Sequence, residues 1–124
     1  QRVACIVAKQ ITSKGQLVLD TVRLEKIEAM LAEDPADTFL RYSRSMELAK
    51  LGRTAESLKG LEELASEDPP YVPAFFMAAQ QLAQGGLTAE AAEQLQAGIV
   101  AAEAVGDGHA AGEMREFLAA LPSG

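Results

Sequence analysis

Several residue types that carry chemistry are scarce in this chain of 124 residues. It contains one cysteine, Cys5, one histidine, His109, and no tryptophan. A single cysteine cannot form an internal disulfide, and no second thiol stands at metal-binding spacing, so we expect Cys5 to act as a small apolar side chain. With one histidine and no serine-nucleophile motif, a catalytic triad or dyad has no components. We therefore predict a protein that is not an enzyme, with no catalytic residue, no metal site and no cofactor.

The chain also lacks an excess of basic residues and a long hydrophobic run. Eleven Lys and Arg against 18 Asp and Glu give a net charge of −7, which disfavours nucleic acid and anionic membranes as partners. No apolar stretch approaches the roughly 20 residues that span a bilayer. The stretch from Val3 to Ala8 makes a poor secretion signal. These features favour a cytoplasmic protein, although a first residue of Gln1 leaves a removed targeting segment as an alternative.

What the chain does contain is an internal repeat, which is the most informative feature of the sequence. Residues 48–56 and 82–90 are identical at six of nine positions, with an offset of 34. The Glu-Asp-Pro triplets at 33–35 and 67–69 are separated by the same 34 residues. Two independent landmarks with one offset indicate a duplicated structural unit.

Apolar residues within each unit recur at helical spacing. Gly52 and Gly86 are expected to end the first helix of their units, because glycine readily adopts the left-handed backbone found at helix C-termini. Each unit is therefore predicted to be a helix, a short turn and a second helix. The first unit spans about 38–69 and the second about 72–104.

Further helices are predicted on both sides of these units. Upstream, Asp20 is expected to cap a helix whose apolar residues Leu24 and Ile27 lie 34 positions before those of the next unit. Downstream, residues 108–121 are predicted to form a C-terminal capping helix that covers the face of the last repeat. The expected domain is thus 20–124.

Residues 1–19 form a separate N-terminal segment, for which the sequence does not decide between helix and extended chain. Counting back by 34 residues places a first helix here, whereas Ile11, Thr12 and Gly15 favour extended or irregular chain. The sequence leaves both alternatives open.

The residues that carry the repeat resemble a known family. The 34-residue period, the glycine after each first helix, Ala91 at the expected helix crossing and Pro69 at the repeat end resemble the tetratricopeptide repeat. Residues 38–104 carry this resemblance, and 20–121 is similar to small bacterial proteins built from two such repeats with flanking helices. The resemblance implies an all-α fold, an α-α superhelix whose first helices line a concave groove.

This sequence departs from the family pattern at three positions. Ser57 replaces the small alanine of the first repeat, and Arg41 replaces a large aromatic that Phe75 supplies in the second. Glu103 replaces the terminal proline. The last change implies that the final helix of the second repeat continues beyond the repeat.

The family geometry implies a binding surface on the first helices. Tyr42 and Phe76 are 34 residues apart and so occupy equivalent positions of the two repeats. The two alternatives are that these rings face the groove or that they pack between helices. The predicted partner-binding groove comprises Phe39, Tyr42, Met46, Lys50, Phe76, Gln80 and Gln84.

The resemblance therefore implies a non-catalytic scaffold that binds a peptide or helix of a partner protein. The alternative is a self-associating structural solenoid that assembles a homo-oligomer. The basic residues of the first repeat, including Arg44 and Lys50, either grip an acidic partner segment or are ordinary surface charges.

The repeat register can be tested at Ala91. Ala91→Leu is expected to overpack the helix crossing and to lower the free energy of unfolding by about 1 to 3 kcal/mol. Ala101→Leu, on the same predicted helix, should cost less. Urea denaturation followed by circular dichroism measures both values, and equal losses at the two positions would show that the register is wrong.

Overall fold

The computed structural model describes residues 21–122, and the predicted N-terminal segment, Cys5 and Asp20 lie outside them. Within 21–122 the regular structure is six α-helices, and no strand occurs there. The prediction of an all-α fold is confirmed for this range. The helices are α1 (21–33), α2 (Thr38–Lys50), α3 (Thr54–Ala65), α4 (Val72–Gln84), α5 (Thr88–Ala104) and α6 (Gly108–Ala120).

The chain divides into two compact units, residues 1–57 and 58–124, and the boundary between them falls within α3. From here on, the first and second units are these two ranges, and the segments 38–69 and 72–104 are called the first and second repeats. In the first unit, Leu24 of α1 and Leu48 of α2 are buried. Two ion pairs join these helices: Arg23 Nε lies 3.4 Å from Glu47 Oε1, and Arg44 Nε lies 3.0 Å from Glu28 Oε2.

The 34-residue period of the sequence appears in the helix boundaries. Helices α2 and α4 each have 13 residues and begin 34 positions apart, and α3 and α5 also begin 34 positions apart. Gly52 and Gly86 both adopt positive φ, at 79° and 82°, a conformation that costs glycine little. The same pair of backbone hydrogen bonds closes both helix ends, one donated by the glycine and one by the residue that follows it. These bonds are Gly52 N–H to Ala49 O, Arg53 N–H to Leu48 O, Gly86 N–H to Ala83 O and Leu87 N–H to Leu82 O.

A second repeated feature is a pair of small buried residues where the two helices of a unit pack. Ala79 and Ala91 are fully buried in one core cluster of the second unit. The residues 34 positions earlier, Ser45 and Ser57, are also buried. The Ser57 hydroxyl donates a hydrogen bond to Ser45 O at 2.6 Å. The buried hydroxyl of Ser57 is therefore paired.

The core of the second unit is built from α4, α5 and α6. Phe75, Leu82, Leu95 and Met114 are buried there. The closest approach is at Gly98 of α5, where an added Cβ would lie 2.6 Å from both Phe75 Cβ and Met114 Sδ. Three helices can meet at this point because the central residue has no side chain.

The C-terminal helices agree with the sequence analysis. Helix α5 continues to Ala104, as the missing repeat proline implied. A third positive-φ glycine, Gly106, follows α5, and the Asp107 side chain accepts a hydrogen bond from Ala110 N–H at 3.0 Å to cap α6. Ala111 of α6 is buried in the core, and the half-buried Phe117, Leu118 and Leu121 pack against it.

The close approach at Gly98 predicts opposite effects of one substitution at two helical glycines. Gly98→Ala should destabilise the protein by about 1 to 3 kcal/mol, because Phe75 and Met114 must move. Gly112→Ala, on α6, meets no atom within 4 Å and should stabilise by about 0.5 to 1 kcal/mol through helix propensity. Urea denaturation of both variants checks the pair. A neutral or stabilising Gly98→Ala would contradict the packing described here.

Candidate functional site

The predicted groove residues of the first repeat all lie on α2. Their spacing of three or four residues places Phe39, Tyr42, Met46 and Lys50 along one face of that helix. Phe39 is 65% exposed, Tyr42 and Met46 are half-buried, and Lys50 is exposed. This face combines apolar and aromatic surface with one cation at its C-terminal end.

Three cations of the first repeat, Arg44, Lys50 and Arg53, form ion pairs within the first unit. Lys50 Nζ lies 3.2 Å from Glu47 Oε2, and Arg44 contacts Glu28 as described above. Arg53 donates two hydrogen bonds to Glu56, at 2.7 and 2.8 Å. Such neutralised cations offer an acidic partner little free positive charge.

The Arg53 and Glu56 pair lies on the surface at the start of α3. Hydrogen bonding to Arg53 is the main cause that lowers the pKa of Glu56 below its usual value. The same bond raises the pKa of Arg53. Because the two side chains are 45% and 50% exposed to solvent, the pair makes a small contribution to stability.

The predicted groove residues of the second repeat lie along one face of α4. Phe76, Gln80 and Gln84 follow each other at intervals of four residues. Phe76 is half-buried against the core, and its ring meets that of Phe117 edge to face, with centroids 5.6 Å apart. Gln80 is half-buried and Gln84 is exposed. Phe76 therefore takes part in helix packing, while the two glutamines border solvent.

An open groove lies between the last turns of α4 and α6. We call it the α4–α6 groove. It has a volume of about 440 Å³ and is lined by Gln80, Ala83, Gln84, Phe117, Ala120, Leu121 and Pro122.

The wall of this groove formed by α6 was missed by the sequence analysis. The sequence assigned residues 108–121 only a capping role, in which apolar side chains such as Phe117 and Leu121 face the last repeat. In the structure both are half-buried and also line the groove. The apolar spacing of α6 predicted which side chains face inward, but the helix against which they would pack was not readable from that spacing.

The titratable residues of the described range do not assemble into a reactive cluster. His109 is in the first turn of α6, with its side chain 85% exposed, and its Nε2 lies 3.5 Å from Glu113 Oε2. Within 21–122, no three His, Cys, Asp or Glu side chains are grouped so that they could hold a metal ion.

No helix in 21–122 combines the length and apolarity needed to cross a bilayer.

The described residues thus define an all-helical protein with an open groove in its second unit. No protein-family model and no curated protein sequence matches the chain. Among solved structures, it is similar to the solution structure of protein BPP2914 from Bordetella parapertussis, a structural genomics target. The match has 28% sequence identity and a TM-score of 0.67, and it covers 79% of this chain and 85% of that protein. The similarity concerns the fold, and function has to be argued from the groove.

The environments of the two phenylalanines predict different effects of the same truncation. Phe76→Ala should lower the free energy of unfolding by about 1 to 3 kcal/mol, less than the loss of a fully buried ring because Phe76 is half-buried. Phe39→Ala removes a mostly exposed ring and should change stability by less than about 0.5 kcal/mol.

Thermal and urea denaturation measure both variants. A double-mutant cycle with Phe117→Ala should give a coupling of about 0.5 to 1.5 kcal/mol for the edge-to-face pair. A coupling near zero would contradict the contact between the two rings.

Proposed function

We propose that this chain is a tetratricopeptide-like repeat protein that binds a segment of another polypeptide and performs no catalysis. The observation that carries the proposal is the α4–α6 groove, an open surface lined by apolar side chains and by the amides of Gln80 and Gln84.

The repeat assignment is supported by features that recur at one interval. Helix starts, positive-φ glycines and buried small residues all recur 34 positions apart, which is the length of a tetratricopeptide repeat. In an α-α superhelix of this kind the first helices of successive units line the concave side. The predicted groove residues Phe39, Tyr42, Met46 and Lys50 on α2, and Phe76, Gln80 and Gln84 on α4, belong to such first helices.

The binding assignment is supported by the chemistry of the groove walls. Phe117, Leu121 and Ala83 offer apolar contact to a hydrophobic side chain. The amides of Gln80 and Gln84 each carry a donor and an acceptor, which can pair with the backbone of a bound segment. An apolar floor with a few polar groups at its edge is typical of surfaces that accept an amphipathic helix or an extended peptide.

Self-association is the second candidate, and exposed apolar residues favour it. Val100 and Val105 are 66% and 55% exposed, which is the kind of surface that a second copy could cover. If copies of the chain associate through Val100 and Val105, the protein has a structural role as a homo-oligomer and does not bind a different protein.

The proposed function can be tested by placing a photo-crosslinking amino acid at Gln84, in the groove, and separately at Gln96, an exposed residue of α5 outside it. After irradiation in extracts of the native source, the Gln84 probe should form a polypeptide adduct that the Gln96 probe does not. Mass spectrometry of the adduct separates a partner protein from a second copy of the chain.

A matched pair of variants controls this experiment. Ala120→Trp should fill the groove and reduce adduct formation by about tenfold, the scale of a lost hot-spot contact. Ala119→Trp adds the same side chain at an exposed neighbouring position of α6 and should leave the adduct unchanged. Equal adducts from both probe positions, or equal effects of both tryptophans, would argue against the groove as the binding site.

A further inference from the structure

The net charge of the chain is concentrated in its second unit. Residues 58–124 contain two Lys or Arg and ten Asp or Glu, a net charge of −8, whereas residues 1–57 contain nine and eight. Of the two cations in the second unit, Lys59 is on α3, and Arg115 is paired with Glu103. The α4–α6 groove thus lies in a unit with a strong excess of negative charge.

Two carboxylates continue the α6 wall of this groove. Glu113 and Glu116 precede Phe117 and Ala120 by four residues each, and therefore lie on the same face of α6. Both are exposed. Among the described residues, the ion-pair partner of Glu113 is His109, with His109 Nε2 3.5 Å from Glu113 Oε2, and Glu116 has no ion-pair partner.

The groove also lies at the C-termini of two helices. Gln84 is the last residue of α4 and Ala120 the last of α6, and both line the groove. A helix C-terminus carries a partial charge of about −0.5, which a basic residue in the last turn usually offsets. Neither α4 nor α6 has a basic residue in its last turn.

The position equivalent to Gln84 in the first repeat carries a cation. Lys50 is in the last turn of α2, and Gln84 is the residue 34 positions later. The first repeat therefore supplies its own cation at the end of its first helix, whereas the second repeat presents a neutral amide there.

From these observations we infer that the α4–α6 groove accepts a cationic amphipathic segment of a partner protein. Its apolar side chains contact Phe117 and Leu121, and its Lys or Arg side chains face Glu113, Glu116 and the helix C-termini. The inference rests on the proposed function and adds the chemical class of the partner. A second copy is a poorer occupant, since two units of charge −8 would be brought together.

The test uses the full chain and three synthetic 18-residue peptides. The first is an amphipathic helix of Leu and Lys, the second has Glu in place of every Lys, and the third has Ser in place of every Leu. Backbone NMR shifts locate each complex, and fluorescence anisotropy at low and high salt measures its dissociation constant. The Leu and Lys peptide should bind with shifts at Gln84, Phe117 and Leu121, and salt should weaken it.

Two charge-neutralising double variants provide the matched comparison. Glu113→Gln with Glu116→Gln should weaken the Leu and Lys peptide about fivefold. Glu90→Gln with Glu93→Gln removes the same charge at the same spacing on α5, and should change affinity by less than about twofold. Circular dichroism confirms that both variants stay folded.

Each other outcome has a distinct meaning. Preference of the groove for the Leu and Glu peptide, or equal effects of the two double variants, overturns the cationic partner but leaves a peptide-binding groove. Equal binding of the Lys and Ser peptide overturns the amphipathic partner, because the apolar contacts with Phe117 and Leu121 would then contribute nothing. Absence of groove shifts with every peptide overturns the proposed function as well. Shifts at these residues that depend on protein concentration alone assign the groove to a second copy and overturn the inference.

Discussion

The close crossing of paired helices is the constraint on which the rest of this structure depends. An amphipathic helix of about a dozen residues cannot bury its apolar face unless its neighbour approaches closely, and side-chain volume at the crossing limits that approach. The chain meets this limit with small residues: Ser45 and Ser57 in the first unit, and Ala79 and Ala91 in the second. At Gly98 the limit is met by having no side chain at all.

The groove is a consequence of the same packing. Helix α6 approaches α5 at Gly98 through Met114, and the next turns of α6 place Phe117 beside Phe76 of α4. Phe117 then contributes both to packing against the core and to the wall of the groove. Because one helix caps the core and borders the open surface, a change in core packing at Gly98 is expected to alter the shape of the α4–α6 groove.

The two compact units differ in charge, although the helices α2 and α3 recur as α4 and α5 at an interval of 34 residues. In the first unit, Lys50, Arg44 and Arg53 are paired with carboxylates of the same unit. The second unit has ten carboxylates and two cations, and Glu113 and Glu116 lie on α6 one turn before the groove residues Phe117 and Ala120. A repeat that keeps the backbone while changing surface charge can retain one fold and direct each unit to a different kind of contact. The apolar floor would supply affinity, and the acidic edge would select the partner and speed its encounter.

The sequence by itself determined the local structure. The 34-residue offset, the helical spacing of apolar residues and glycines such as Gly52 and Gly86 are sufficient to predict helix boundaries, because these features act through backbone geometry within a few residues. They also predicted that α6 follows α5. Helix α5 passes Glu103, the position of the missing repeat proline, and ends at Ala104, the predicted end of the repeat. The spacing further placed Gln80 and Gln84 on one face, since that requires only a helix. Only the tertiary structure decided which helix that face meets. That α6 forms the second wall, that Phe76 packs against Phe117, and that Arg44 is paired with Glu28 depend on contacts between residues distant in sequence, which no local pattern encodes.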